Sequence, residues 1–198
     1  SNTLATSLDQ AVTGSIDDAL KLGCAAIGFT IYPGSDHNFS LMEEYRELSH
    51  EAKAKGLAVV LWAYARGTNI SKKGETAMNI ISYAAHMSAL LGANIIKVKL
   101  PSDFLEEDPT KAAFENNKIA IGSLKERVAH IKKVAFEGKR LVVFSGGDAK
   151  DDNALMEEIK AIHLGGGNGS IIGRNCFQRT REDSLTLLDQ MIQIYKSK

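Results

Sequence analysis

The sequence predicts a parallel α/β fold, and three observations support this prediction. Five short β-rich runs alternate along the chain with longer stretches that carry apolar residues at helical spacing. The short runs are almost wholly apolar, which is typical of strands covered on both faces. A chain of 198 residues, 44% hydrophobic and 24% charged, has the composition of one soluble globular domain. We therefore expect residues 1–198 to form a single domain.

The predicted elements follow one another in a regular order. The strands are expected at residues 25–32, 58–64, 94–100, 140–144 and 169–173. A first helix could start at Ser15, Asp17 and Asp18 and end at Gly23, and later helices are expected at 41–55, 75–91, 124–136, 152–163 and 183–196. Residues 101–122 are polar and predict a long loop of the functional or mobile kind.

Two arrangements of such a sheet remain open at this point, because periodicity does not separate them. Five βα units are enough for an open, doubly wound sheet, whereas an eight-stranded barrel typically needs about 250 residues. Length alone favours the open sheet. The residues at the ends of the strands favour the barrel.

Composition and charge exclude several classes of function. The 24 basic and 24 acidic residues leave a net charge of zero, so no overall field favours nucleic acid or an anionic membrane surface. No apolar run reaches the roughly 20 residues that a membrane helix needs, and no signal segment opens the chain. The two cysteines and five histidines show no metal-ligand spacing. We expect a cytoplasmic protein without a metal, whose partner is a small molecule.

The third predicted strand contains a lysine in an apolar setting. Lys97 and Lys99 fall on the same face of this strand, because side chains alternate with a period of two. Burial lowers the pKa of a lysine, and the neutral amine can attack a carbonyl group to form a Schiff base. The alternative is an edge strand with two solvated lysines.

The second strand carries two aromatic residues near its carboxyl end. Trp62 and Tyr64 share one face there, where parallel α/β proteins place their ligands. A tyrosine hydroxyl at such a position could donate and accept a proton. The alternative is that this aromatic pair packs in the core.

The ends of the last two strands predict a phosphate site. Ser145, Gly146 and Gly147 end the fourth strand, and Gly173 and Arg174 end the fifth. Glycines let backbone N–H groups approach an anion, and a guanidinium group matches phosphate oxygens with two parallel bonds. The alternative for each glycine is a simple turn.

A single histidine is also a candidate. His37 follows the end of the first strand and could reach a ligand, whereas the other four histidines fall on predicted helices.

Five segments of the sequence carry a resemblance to a known family. They are GSIDDALKLGCAAIGFTIYPGS, VVLWAYARG, LGANIIKVKLP, VVFSGGDAK and GSIIGRNCFQR, which together run through almost the whole chain. In order and spacing, they resemble the bacterial and archaeal class I fructose-bisphosphate aldolases of the DhnA type. The resemblance implies a (β/α)₈ TIM barrel, of which this chain would supply strands four to eight, with the N-terminal strands absent.

The resemblance also implies roles for individual residues. Lys97 matches the Schiff-base lysine, and relatives in which the second lysine is replaced point away from Lys99. Tyr64 matches the acid/base tyrosine, and Trp62 matches its neighbour. The phosphate-binding turns match Ser145, Gly146, Gly147, Gly173 and Arg174.

The reaction implied is the reversible cleavage of fructose 1,6-bisphosphate in glycolysis or gluconeogenesis, without any cofactor, by a homo-oligomer. An acidic residue that the family uses at the end of the first strand would lie outside this chain. We therefore expect the 198 residues to be part of a longer protein and to be inactive when isolated.

Two alternatives remain open within and beyond this family. Relatives with the same lysine catalyse transaldol transfer or a thiolase-like step. A catalytically silent barrel that binds sugar phosphates is the alternative outside the enzymes, although such a protein would need only the phosphate turns.

Overall fold

A computed structural model describes residues 6–146 and 150–197. The strands are Ala26–Ile31 (β1), Ala58–Ala63 (β2), Ile95–Val98 (β3), Leu141–Ser145 (β4) and Gly169–Ile171 (β5). The helices are Ile16–Lys21 (α1), Asn38–Ala54 (α2), Met78–Leu90 (α3), Asp108–Asn116 (α4), Leu124–Val134 (α5), Asp152–Leu164 (α6), Arg174–Phe177 (α7) and Arg181–Lys196 (α8). All five predicted strands are confirmed: β4 is shifted by one residue, and the other four are shorter than predicted.

The order of the strands decides between the two predicted arrangements. The sheet runs β1-β2-β3-β4-β5, and each neighbouring pair is parallel. Since crossovers between parallel strands are right-handed, strands added in one direction place their helices on the same face. A doubly wound sheet would need a reversal of this order. The doubly wound sheet that length alone favoured is therefore wrong, and the strand order is that of part of a (β/α)₈ barrel.

The two faces of this sheet differ in their burial. Residues that face the helices are completely buried, and they form the core together with the apolar sides of those helices. These residues are Val59, Leu61, Ala63, Ile96, Val98, Val142 and Phe144. The intervening residues of β2, β3 and β4 lie on the opposite face, which we call the inner face, and all but the exposed Leu141 are half-buried. The candidate side chains Trp62, Lys97 and Ser145 belong to it.

Local signals place most helix ends as predicted. The Ser15 hydroxyl accepts a hydrogen bond from the Asp18 N–H at 3.1 Å and begins α1. Gly56 and Gly92 follow α2 and α3 with φ angles of 84° and 86°, which favour glycine.

Two predictions about the connections are wrong. The loop predicted at 101–122 contains α4, because Pro109 is compatible with a first helical turn and Phe114 packs against the core. The helix predicted from Glu75 starts only at Met78, because Ala77 is extended with a ψ of 141° and a 3₁₀ turn, Gly74–Thr76, precedes it. In the described residues, no helix is both long and apolar enough to cross a membrane.

Candidate active site

Lys97 lies in the middle strand of the sheet. It is level with Trp62 of β2 on one side and with Val143 of β4 on the other. The alternative of two solvated lysines on an edge strand is therefore wrong. The Lys97 Nζ lies 5.8 Å from the centroid of the Tyr64 ring. An amine and a phenol thus lie close together on the inner face.

A glycine in β1 determines where Trp62 lies. A Cβ atom at Gly28 would lie 1.9 Å from Cζ3 of Trp62, so only glycine leaves room for the indole ring. Tyr64 follows β2 directly, and its N–H donates a hydrogen bond to the Ile31 carbonyl at 3.1 Å. The interpretation of Trp62 as a core residue is half right, since its ring packs against β1 while remaining partly exposed.

A cavity of about 610 Å³ lies at the carboxyl ends of the strands. Its lining comprises Tyr64, Arg66, Lys72, Glu75, Thr76, Lys99, Leu100, Ser145, Lys150, Glu158 and Arg174. Among these described residues, five side chains are cationic and two are acidic. Such an excess of positive charge in a concave site attracts anions. Because the net charge of the whole sequence is zero, an anion site in this protein depends on a local excess of positive charge of this kind.

Lys99 differs from Lys97 in being held by a carboxylate. Its Nζ lies 2.6 Å from Oε2 of Glu75, and both side chains are largely buried. Burial lowers the pKa of Lys99, although the bond to Glu75 opposes this effect. Burial alone would raise the pKa of Glu75, but its bonds with Lys99 and Lys72 outweigh burial and hold the pKa below its ordinary value. Lys99 is thus engaged in an ion pair.

The predicted phosphate turns lie side by side at β4 and β5. Ser145 and Arg174 both line the cavity, and Gly173 immediately precedes α7. The Gly146 N–H donates a hydrogen bond to the Ile171 carbonyl at 3.2 Å, so this donor is engaged within the sheet. Gly147 lies outside the described residues.

Asn175 connects these two turns, a role that was not predicted from the sequence, although Asn175 follows Arg174 in the turn after the fifth strand. Its side chain is buried, with 4% exposure. The Oδ1 atom accepts a hydrogen bond from the Lys150 N–H at 2.8 Å, and Nδ2 donates one to the Gly146 carbonyl at 3.3 Å. Lys150 itself forms an ion pair with Glu158. The sequence offers one signal for this role, which is that a polar residue directly follows Arg174.

His37 lies apart from the main cavity. Its Nδ1 is 3.6 Å from Oδ2 of Asp9, and it borders a neighbouring cavity of about 460 Å³ that shares Arg66 and Glu75 with the main one. Within residues 6–146 and 150–197, no group of three or more acidic, histidine or cysteine side chains is placed to hold a metal ion.

Curated relatives of this chain include two archaeal proteins. The class 1 fructose-bisphosphate aldolase of Halobacterium salinarum is 33% identical over 171 residues, which are 86% of this chain and 56% of the relative. The same enzyme of Thermoproteus tenax is 31% identical over 166 residues, 83% of this chain and 54% of the relative. The chain therefore spans about half the length of the curated relatives it matches.

Solved structures give the same fold. An archaeal fructose 1,6-bisphosphate aldolase superimposes with a TM-score of 0.80 at 28% identity, over 98% of this chain and 67% of the other. A second structure of an archaeal fructose-1,6-bisphosphate aldolase, with its catalytic lysine covalently bound to the carbinolamine intermediate of the substrate, has a TM-score of 0.79 at 27% identity, over 98% of this chain and 68% of the other. The model of the DeoC/LacD family of aldolases matches residues 2–179. The chain therefore belongs to the DeoC/LacD aldolase family.

Proposed function

We propose that this chain is part of a class I fructose-bisphosphate aldolase that forms its Schiff base at Lys97. The observation that carries the proposal is the position of Lys97 on the middle strand beside Tyr64, which lines a cavity rich in cationic groups. The similarity to class 1 aldolases supports the choice of fructose 1,6-bisphosphate as substrate.

The proposed reaction starts when Arg174 and Ser145 bind the phosphate on carbon 1 of the sugar. The neutral amine of Lys97 attacks the ketone at carbon 2, and loss of water gives an iminium ion, which can accept the electrons of the breaking bond. A base removes the proton of the hydroxyl on carbon 4, and the bond between carbons 3 and 4 breaks. Glyceraldehyde 3-phosphate leaves.

The second half of the proposed reaction restores the enzyme. The enamine that remains takes a proton at carbon 3, and water hydrolyses the iminium ion to give dihydroxyacetone phosphate and free Lys97. Tyr64 is the proton shuttle in this scheme, because its phenol lies beside the lysine. Neither a metal nor an organic cofactor takes part.

The proposal includes a complete barrel. The chain would supply strands four to eight, since it spans about half the length of the related proteins and the described residues leave most of the inner face only half-buried. The outer edges of β1 and β5 would pair with further strands, because unpaired sheet edges are a liability in a stable protein. We further propose a cytoplasmic homo-oligomer that binds sugar phosphates and neither nucleic acid nor membranes.

Borohydride trapping tests the proposed chemistry directly. The full-length protein is reduced in the presence of dihydroxyacetone phosphate, and its peptides are analysed by mass spectrometry, with a sample lacking substrate as control. We expect one adduct, on Lys97. An adduct on Lys99 would retain the mechanism but correct the nucleophile, and the absence of any adduct would exclude a Schiff-base enzyme.

A further inference from the structure

A carboxylate lies in the wall of the main cavity, in spite of the anion that this cavity is proposed to bind. Glu158 belongs to α6, in the outer layer of helices, and its side chain is only 12% exposed. It lines the cavity together with Arg174 and Lys150, and it forms an ion pair with Lys150. A negative charge in this wall repels a phosphate group and lowers the affinity of the cavity for it.

The backbone of Lys150 is fixed beside the phosphate turns. Its N–H donates a hydrogen bond to Oδ1 of Asn175 at 2.8 Å, and Asn175 directly follows Arg174 in the chain. The next residue, Asp151, begins α6, because its Oδ1 accepts a hydrogen bond from the Ala154 N–H at 3.0 Å. The backbone therefore stays in place, and a change of partner involves the Lys150 side chain alone, which is 33% exposed.

A second group near Glu158, the phenol of Tyr195 in α8, stays neutral. Burial raises the pKa of Tyr195, the hydrogen bond with the Ser170 hydroxyl at 2.7 Å opposes this effect, and the negative charge of Glu158 raises the pKa further. The ring also meets the His163 ring edge to face, with 5.8 Å between the centroids. The phenol is thus engaged with Ser170, and it brings no charge that could replace Lys150 as the partner of Glu158.

The ion pair and a bound phosphate compete for the same ammonium group. While Lys150 is paired with Glu158, the two charges cancel and add little to the attraction of an anion. A phosphate group can take over the ammonium group, since hydrogen bonds between ionised groups are the strong ones. The largely buried carboxylate then loses its partner, which is costly. This cost reduces the net binding energy, so phosphate binds less tightly than the cations of the cavity alone would allow.

We propose that Glu158 is a positioning residue that holds Lys150 away from a bound phosphate and thereby limits the affinity of the cavity for phosphorylated sugars. The inference rests on the proposed function and deepens it, because it assigns a role in that reaction to a residue beside the phosphate turns. The substrate and both products of the proposed reaction carry phosphate. A limit on phosphate affinity lets the products leave, whereas tighter binding of substrate and transition state alike would not raise kcat.

Calorimetry with glycerol 3-phosphate tests this inference in the full-length protein. This probe carries one phosphate and no carbonyl group, so it binds without forming a Schiff base. We expect Glu158→Gln, which removes the negative charge and keeps the shape, to lower the Kd about tenfold, because Lys150 gains the phosphate as its partner. Glu158→Asp keeps the charge, and its Kd should stay within about twofold of the wild-type value. Glu157→Gln is the matched control, since Glu157 forms an exposed ion pair with Lys160 at 2.7 Å.

Steady-state kinetics with fructose 1-phosphate provide a second readout. In Glu158→Gln, KM should fall together with the Kd, and kcat should not rise, because the same phosphate contact stabilises the bound substrate and the transition state. A side chain that only stabilised the fold would have the opposite effect, since its loss would weaken binding.

The outcomes separate this inference from the proposed function. A Kd that rises or stays unchanged in Glu158→Gln, or that falls equally in Glu158→Asp or Glu157→Gln, would overturn the role of Glu158 while the aldolase assignment stands. A wild-type protein that cleaves no sugar phosphate would overturn the aldolase assignment and this inference with it.

Discussion

The two sides of the cavity are built in different ways. At the ends of β2 and β3, cationic side chains surround Glu75, and one of them, Lys72, is almost fully exposed. At the ends of β4 and β5, the buried side chain of Asn175 joins two backbone turns. Long charged side chains can move to fit different ligands, whereas two turns that are linked by hydrogen bonds keep one geometry. The comparison suggests that the Asn175 side fixes the part of the substrate that reacts.

Removal of Lys97, which lies between the two sides, should have the largest effect. We expect Lys97→Met to lower turnover on the order of 10⁴-fold or more, because this substitution removes the proposed nucleophile. The five cationic side chains that line the cavity remain, so the Kd for sugar phosphate, measured by calorimetry, should change little. Lys125→Met, an exposed residue of α5, is the control. Turnover retained by Lys97→Met would show that another residue is the nucleophile.

Arg174→Met tests the side formed by β4 and β5. We expect KM to rise about 10- to 100-fold for fructose 1-phosphate and fructose 1,6-bisphosphate alike, since both carry the phosphate on carbon 1 that this side is proposed to bind. Arg181→Met, on the surface of α8, serves as control. An effect confined to the bisphosphate would mean that Arg174 binds the phosphate on carbon 6 instead of the phosphate on carbon 1.

Asn175→Ala tests whether the side chain of Asn175 holds the two turns in place. Loss of its hydrogen bonds should lower the free energy of unfolding by about 2 kcal/mol, because the Lys150 N–H and the Gly146 carbonyl lose their partner. We also expect KM for fructose 1-phosphate to rise. Urea unfolding and kinetics measure the two effects, with Asn153→Ala, exposed in α6, as control. A lower stability with unchanged KM would mean that the turns do not bind substrate.

The smallest effect concerns the pH dependence of stability. The folded protein holds the pKa of Glu75 below its ordinary value of 4.5, so the stabilisation is present above that value and is lost as the pH falls through the folded pKa. The unfolding free energy of Glu75→Gln should therefore be lower than that of the wild type by about 1 kcal/mol at neutral pH. This difference should vanish in acid. Glu43→Gln, exposed on α2, should show neither effect.

Local rules predicted the strands and part of the site. The period of two placed Trp62 and Tyr64 on one face of β2, and the structure has both on the inner face next to Lys97. The serine before α1 and the glycines after α2 and α3 acted through backbone geometry within a few residues. Each of these signals depends on neighbours in the sequence, which is why the sequence alone was enough.

Features that depend on distant partners were missed. Glu75 and Lys99 are 24 residues apart and meet only because β3 brings Lys99 beside the turn before α3. Asn175 contacts residues 25 and 29 positions away. The strand order also decides between an open sheet and a barrel, and no local pattern records that order.

The contact between Gly28 and Trp62 has a practical consequence. Trp62 is the single tryptophan in this sequence, and its ring is fixed on the inner face, level with Lys97. Indole fluorescence responds to charge and water near the ring. Conversion of the Lys97 amine to an iminium ion would change both, so emission from this chain can follow formation and hydrolysis of the covalent adduct in real time, without a label.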